Sequence, residues 1–104
     1  MALSITNLNK VVRRLLDVIK PLGVIHVDFT ITRLDRKNYY LYLTYVVPDS
    51  SEYMKHNNKY DPRSNWNSAI NKTLQSFLGV HFLITQTGLQ AESYYKQQKE
   101  RENG

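Results

Sequence analysis

The chain has 104 residues, which is enough for one domain with one modest core. Apolar residues make up 41% and charged residues 22%, a mixture typical of a folded chain; the absence of cysteine excludes disulfides and thiolate metal sites. No apolar run approaches the about 20 residues that span a membrane, and the N terminus resembles no leader, so we expect a cytoplasmic protein without a membrane partner.

The first predicted element is a helix from about Asn7 to Lys20. Its apolar residues recur at steps of three and four, which gives the helix one apolar stripe. Thr6 or Asn7 can cap the start, and Pro21 with Gly23 ends the helix, because proline cannot continue the hydrogen-bond ladder. The stripe consists of Leu8, Val11, Val12, Leu15, Leu16 and Ile19.

Two alternating segments follow, Val24–Arg33 and Tyr39–Val47, separated by a polar turn at residues 34–38. Alternation of apolar and polar side chains is typical of half-buried strands, and the short turn predicts a hairpin. Paired residues must share a face of the sheet, which selects a register. That register pairs Ile31 with Leu41, Phe29 with Leu43, Thr30 with Tyr42, and Thr32 with Tyr40.

Residues 49–63 are polar, and we predict a long loop with a short helical turn near residues 51–55. Ser64 then caps a second helix, about Asn65–Leu78, and Gly79 is suited to end it.

The C-terminal part begins with a predicted third strand over Val80–Gln86. Thr87-Gly88 predicts a turn, and Gln90–Arg101 predicts a polar helix with a weak apolar pattern.

The predicted elements follow the order helix, strand, strand, helix, strand, helix. This order predicts an α+β fold, a two-layer α/β sandwich with two helices on one face of the sheet. A helical crossover makes strands 2 and 3 parallel, and we expect a three-stranded mixed sheet in the order 2-1-3. Residues 1–89 would form the domain and residues 90–104 a polar C-terminal helix or tail. The order is similar to the type II KH arrangement if the loop supplies one short helix, although the family's Gly-x-x-Gly loop is absent from the chain.

The sheet face away from these two helices carries the residues with the most chemistry. Tyr and Thr side chains on such a face can stack on bases and bond to base edges or sugars, which predicts a nucleic-acid platform. Two other interpretations stay open: a plain solvated strand face, or a face covered by the C-terminal helix through Leu89, Tyr94 and Tyr95. The residues of this face are His26, Asp28, Thr30, Thr32, Tyr40, Tyr42, Thr44, His81 and Thr85.

Positive charge is concentrated in the first half of the chain. Residues 1–47 hold seven Lys or Arg against three Asp, whereas residues 48–104 hold seven against six acidic residues. The first helix and the hairpin tip could therefore contact phosphates, through Arg13 and Arg14 and through Arg36 and Lys37. The alternative is a soluble helix face and a polar turn on an ordinary small basic protein.

Metal binding and catalysis are weakly supported. His26 and Asp28 leave one strand on the same face and could hold a divalent cation with His81, but a surface His–Asp pair is the commoner arrangement. The chain has no Gly-x-Ser-x-Gly elbow, no glycine-rich phosphate loop and no paired carboxylates on one face. We therefore expect no enzyme, no cofactor and no metal.

The leading hypothesis is a non-enzymatic module that binds single-stranded RNA or DNA. Its predicted site residues are Arg13, Arg14, Arg36, Lys37, Tyr40, Tyr42, His26 and Thr30. The alternative is a protein-interaction or assembly subunit, of the kind found as phage or viral accessory proteins, with a possible homodimer through a sheet edge or face. Its contact could also be the long loop, through Tyr53, Met54, His56, Lys59, Tyr60 and Arg63.

Overall fold

The computed structural model describes residues 4–55 and 61–103 of the chain, so His56, Lys59 and Tyr60 of the long loop lie outside the described residues. The order of elements confirms the predicted α+β fold, and a single 3-10 turn at Glu52–Met54 lies where the short helical turn was predicted. The elements are α1 (Ile5–Ile19), β1 (His26–Arg33), β2 (Asn38–Val47), α2 (Arg63–Leu78), β3 (His81–Ala91) and α3 (Glu92–Asn103).

The first two helices begin two residues earlier than predicted, and their N-cap positions are Ser4 for α1 and Pro62 for α2. The Ser4 hydroxyl accepts a hydrogen bond from the Asn7 amide at 3.2 Å, so Ser4 caps α1 in place of Thr6 or Asn7. At α2 the Asp61 carboxylate accepts the Arg63 amide at 3.0 Å, and the predicted Ser64 cap is wrong.

Gly79 ends α2 as predicted. It adopts a left-handed conformation with φ of 67°, where a side chain would be strained, and its amide donates to the Gln75 carbonyl at 2.8 Å.

The hairpin register is confirmed. β1 and β2 are antiparallel, and β2 and β3 are parallel, as the helical crossover requires. The structure pairs Ile31 with Leu41, Phe29 with Leu43, Thr30 with Tyr42, and Thr32 with Tyr40. Side-chain alternation alone was therefore enough to place these hairpin residues on their correct faces.

The predicted strand order 2-1-3 is wrong, because β2 lies in the centre and β3 pairs with β2 rather than with β1. β2 is the strand whose burial suits a central position: Val46 and Val47 are buried on opposite faces, and every second residue before them is buried. β1 instead exposes Thr30, Thr32 and Arg33, which is typical of an edge strand.

β3 is five residues longer at its C-terminal end than predicted, because no turn forms at Thr87-Gly88. Between the pairs Leu41–Ile84 and Leu43–Thr87, β3 contains one extra residue, which is a bulge. The bulge shifts the alternation by one and returns Leu89 to the core face. The predicted domain boundary between residues 89 and 90 falls inside this strand.

One hydrophobic cluster joins α1 and α2 to the sheet. The strand residues in it alternate along each strand and so belong to one face. Burying each such aliphatic side chain contributes about 1.5–3 kcal/mol. The fully buried members include Leu8, Val12 and Leu16 of α1, Ile70 and Leu74 of α2, and Val27, Tyr39, Leu41, Leu43, Tyr45, Val47 and Phe82 of the strands.

Within the described ranges, 4–55 and 61–103, no helix combines the length and apolar character needed to cross a membrane.

Candidate nucleic-acid interface

The sheet face opposite the core is divided by α3 into two parts. Near the end of β3, α3 contacts β2 and β3, and Val46 is 1% exposed although it is absent from the core cluster. We call His26, Asp28 and Val46 the covered half, because α3 contacts the first two and Val46, which pairs with His26, is buried. The other part, which we call the tyrosine platform, consists of Thr30, Thr32, Tyr40, Tyr42 and Leu83.

The covered half holds α3 through an aromatic contact and an ion pair. The His26 and Tyr95 rings lie 5.3 Å apart, and Lys99 Nζ lies 3.4 Å from Asp28 Oδ2. Burial, and next the positive charge of Arg13, lowers the pKa of His26, while the Asp28 carboxylate raises the pKa of Lys99. These contacts support the interpretation that the C-terminal helix covers part of the face, although Tyr94 is 54% exposed and Leu89 packs on the core side.

Asp28 also joins this face to α1 around the edge of β1. Arg13 Nη2 lies 3.3 Å from Asp28 Oδ1, and Arg13 Nη1 donates to the Val27 carbonyl at 2.6 Å. The same carboxylate oxygen accepts the Phe29 amide at 3.0 Å, and the Arg13 guanidinium lies 4.5 Å from the centre of the Phe29 ring. Arg13 and Asp28 therefore occupy backbone groups along the edge of β1, and a phosphate contact by Arg13 would compete with these bonds.

The tyrosine platform lies on β2 and its two neighbours. Tyr40 and Tyr42 are half-buried, and their ring centres are 6.3 Å apart with the planes inclined by 40°. Thr30 and Thr32, both exposed, pair opposite Tyr42 and Tyr40. On the other side Tyr40 pairs with Leu83, which is 39% exposed. Two partly exposed rings thus lie side by side on the central strand between hydroxyls and one apolar side chain.

The hairpin tip brings positive charge to one end of this platform. Arg36 and Lys37 are exposed, and Lys37 immediately precedes β2. The Asp35 carboxylate accepts the amides of Lys37 and Asn38, both at 2.9 Å, which holds the tip and lowers the pKa of Asp35. The amide of His81 donates to the Lys37 carbonyl at 2.7 Å, so the start of β3 lies beside the same tip.

A second basic region lies on α1. Lys10, Arg13 and Arg14 line a shallow depression of about 470 Å³ together with Asn9 and Phe29. Phe29 and Thr30 are consecutive residues of an edge strand and point to opposite faces. The depression and the tyrosine platform are therefore separated by the width of β1.

The structure thus distributes the predicted site residues over three places. Thr30, Tyr40 and Tyr42 belong to the platform, with Arg36 and Lys37 at its end. Arg13 and Arg14 line the α1 depression, from which Arg13 reaches Asp28, and His26 lies in the covered half. Sequence reasoning missed Leu83, although it alternates with Phe82 and Ile84 and so had to face the platform.

The candidate metal set does not come together. His26 pairs with Val46 at one end of the sheet, whereas His81 pairs with Asn38 at the other, because β3 runs parallel to β2 and begins beside its first residue. In the part of the chain that the structure describes, no three His, Asp or Glu side chains are grouped so that they could hold a metal ion.

No protein-family model matches the chain, and none of the curated proteins or solved structures searched is significantly similar to it.

Proposed function

We propose that the protein binds single-stranded nucleic acid, RNA or DNA, on the tyrosine platform and holds its phosphates at the hairpin tip. The observation that carries the proposal is the pair of partly exposed tyrosine rings, 6.3 Å apart on the central strand, with Arg36 and Lys37 exposed at one end. Aromatic side chains on a sheet, next to basic groups, are a common way to hold unpaired bases.

Stacking and charge have separate roles in this proposal. Each base stacked on a tyrosine contributes about 1–3 kcal/mol and tolerates any sequence, because every base has a π face. Thr30 and Thr32 offer hydroxyls for hydrogen bonds to base edges or sugars. The tip supplies the salt-dependent part of the affinity, since Lys and Arg release counterions when they neutralise phosphates.

The test is a titration of labelled single-stranded RNA and DNA at two salt concentrations. Tyr40→Thr and Tyr42→Thr keep a residue that favours strands but remove the ring, and each should weaken binding by about 5- to 150-fold. Tyr40→Phe and Tyr42→Phe keep the ring and should bind nearly as the wild type does. Tyr94→Thr changes an exposed tyrosine of α3 outside the platform and is the matched control.

Arg36→Gln combined with Lys37→Gln should reduce the salt dependence of binding. The slope of log affinity against log salt should fall by about 0.7 for every phosphate that the variant no longer neutralises. No binding at low salt, or equal binding by the Thr variants and the Tyr94 control, would contradict the proposal.

The proposal describes a binding module without catalytic chemistry, cofactor or metal. The cytoplasmic location expected from the sequence stays a prediction, as does the alternative role in protein assembly. Cross-linking of a labelled oligonucleotide in the producing cell would test the cytoplasmic location, since it reports the compartment in which the complex forms.

A further inference from the structure

The two edges of the sheet differ in how they are protected. Along β1, Arg13 donates to the Val27 carbonyl and the Asp28 carboxylate accepts the Phe29 amide, so side chains occupy outward backbone groups. Sheet edges in natural proteins are commonly protected by charged side chains or proline against pairing with another strand. β1 follows this rule.

The first part of the β3 edge carries no charged residue or proline of its own. The strand His81–Ala91 has eleven residues and contains no Asp, Glu, Lys, Arg or Pro. Beyond the bulge, Arg63 Nη1 donates to the Thr87 carbonyl at 2.9 Å, so a side chain occupies a backbone group of the strand there. Residues 81–86 precede that contact, and His81, Leu83, Thr85 and Gln86 are exposed.

The backbone direction along this segment follows from one hydrogen bond. The His81 amide points inward to the Lys37 carbonyl of the hairpin. Backbone amide and carbonyl groups alternate sides along a strand. Those of Leu83 therefore point inward to β2, as those of His81 do, and those of Phe82 and Ile84 point outward from the edge of the sheet. The outward groups are those that a further strand would need.

We propose that a second copy of this chain pairs with this edge, antiparallel and centred on Leu83, to give a continuous six-stranded sheet. In that register Phe82 of each copy exchanges hydrogen bonds with Ile84 of the other, on both sides of a two-fold axis. Leu83, 39% exposed in one chain, then lies against its own counterpart, with Cβ atoms about 4.5–5.5 Å apart.

The edge is complementary to itself, because the outward groups of Phe82 and Ile84 lie on both sides of Leu83 and a second copy presents the same groups in reverse order. The chain carries a net charge of +5, which opposes self-association, so two copies meet most favourably where positive charge is absent. The first part of β3 is such a surface, and it offers no charged group with which to recognise an acidic or basic partner strand. In the antiparallel arrangement the two hairpin tips lie at opposite ends of the pair, because His81 of each copy lies beside its own tip.

The pairing has a consequence for the tyrosine platforms. A two-fold axis perpendicular to the sheet leaves both platforms on the same face. Their β2 strands would be separated by three strand spacings, about 14 Å. One nucleic-acid strand could then cross both platforms, and this consequence alone rests on the proposed function.

The test is sedimentation velocity of the full chain over a range of protein concentrations, without nucleic acid. The wild type should shift from monomer to dimer as concentration rises. Leu83→Lys should stay monomeric, because it would bring two ammonium groups together at the axis. Thr32→Lys is the matched control: it places the same charge on the same face at the other edge, and it should dimerise as the wild type does.

Amide hydrogen exchange gives a second measurement that does not depend on a variant. Protection of the Phe82 and Ile84 amides should increase with protein concentration, whereas protection of Phe29, bonded within the chain, should not. A wild type that stays monomeric, or dimers of Leu83→Lys and Thr32→Lys in equal amounts, would overturn the pairing. A wild type that forms dimers but does not bind single-stranded RNA or DNA at low salt would count against the proposed function alone.

Discussion

β2 presents tyrosines to both faces of the sheet, and the two faces treat them differently. Tyr39 and Tyr45 are 1% and 0% exposed and belong to the core cluster, whereas Tyr40 and Tyr42 are half-buried on the opposite face. One step along the strand therefore changes a tyrosine from a core residue into a surface residue. Residue type did not identify the platform; the position in the alternation did.

The environment of Tyr45 explains why a core can contain a phenol. Its hydroxyl donates to Asn67 Oδ1 at 2.8 Å, and its ring lies edge-on to Trp66 with centres 4.9 Å apart. Burial raises the pKa of Tyr45, so the group stays a neutral donor. Tyr42 lies instead beside Tyr40, opposite the exposed Thr30.

The largest expected effect on stability is that of truncating a core tyrosine, and truncating a platform tyrosine is its comparison. Tyr45→Ala leaves a cavity in the core and should lower the free energy of unfolding by about 3–5 kcal/mol. Tyr42→Ala removes only a surface pair and should cost about 0.2–1 kcal/mol. Urea denaturation followed by circular dichroism measures both. Similar losses for the two variants would show that the faces are not as different as their burial indicates.

Tyr45→Phe refines this comparison where Tyr45→Ala fails to fold. It keeps the ring and removes the hydrogen bond to Asn67, so it should cost about 1 kcal/mol. Tyr42→Phe is its counterpart on the platform and should be nearly neutral.

The next effect concerns Asp28, which links both faces at the edge of β1. Asp28→Ala removes the ion pairs to Arg13 and Lys99 and the acceptor for the Phe29 amide. Partly exposed ion pairs contribute about 0.2–1 kcal/mol each, so with the hydrogen bond the loss should be about 1–2 kcal/mol.

The comparison variant is Lys99→Ala, which keeps the Arg13–Asp28 pair and removes the contact of Asp28 to α3, together with the contacts of Lys99 to Glu102 and the Tyr95 ring. It should cost less than Asp28→Ala, and amide exchange should increase in α3 while α1 is unchanged. An equal effect of both variants would mean that Arg13 gains nothing from Asp28.

The hairpin could be predicted residue by residue because its information is local. Side-chain alternation assigns faces, and the turn length then allows one register. The order of the strands is not local in this sense. Residues 48–80 connect β2 to β3, and a connection of that length reaches either edge of the hairpin. Two features distinguish the edges. Val46 is buried on the second face of β2, which suits a central strand, and Arg13 and Asp28 occupy the outward backbone groups of β1.

The C-terminal part was harder to predict because its determinants are remote or polar. Gly88 resembles a turn residue, yet it lies within β3 opposite Thr44, where a Cβ would come within 3.3 Å of the threonine hydroxyl. The start of α3 is capped from a distance: the Asp49 carboxylate accepts the Ser93 amide at 3.0 Å. α3 then contacts the sheet through Tyr95 and Lys99 rather than through an apolar stripe.

The part of the candidate site that depends on local alternation was predicted, and the part that depends on remote contacts was not. Side-chain alternation along the two hairpin strands placed Thr30, Tyr40 and Tyr42 on one face. That α3 would cover His26 and leave the tyrosines partly exposed depends on where Asp28 and Lys99 meet, which no local pattern contains.

The smallest expected effect is a pH dependence that distinguishes the covered half from the platform. Burial and Arg13 lower the pKa of His26 below its ordinary 6.5, while Asp28 and Asp17 oppose this and Lys20 adds to it. From α3, Tyr95 faces the ring and Lys99 pairs with the neighbouring Asp28. The unfolded chain therefore binds this proton more readily than the folded chain does. Stability should be fully present above about pH 6.5 and should fall as the pH is lowered through the folded pKa.

His26→Phe keeps an aromatic contact for Tyr95 and removes the titrating group, so its stability should change less between about pH 7 and pH 5 than that of the wild type. The carboxylates of Asp35, Asp49 and Asp61 accept hydrogen bonds that lower their pKa values further below this range, so they do not contribute to the dependence. A wild-type slope that survives in His26→Phe would assign it to another group and would leave the His26–Tyr95 contact without a role in pH sensitivity.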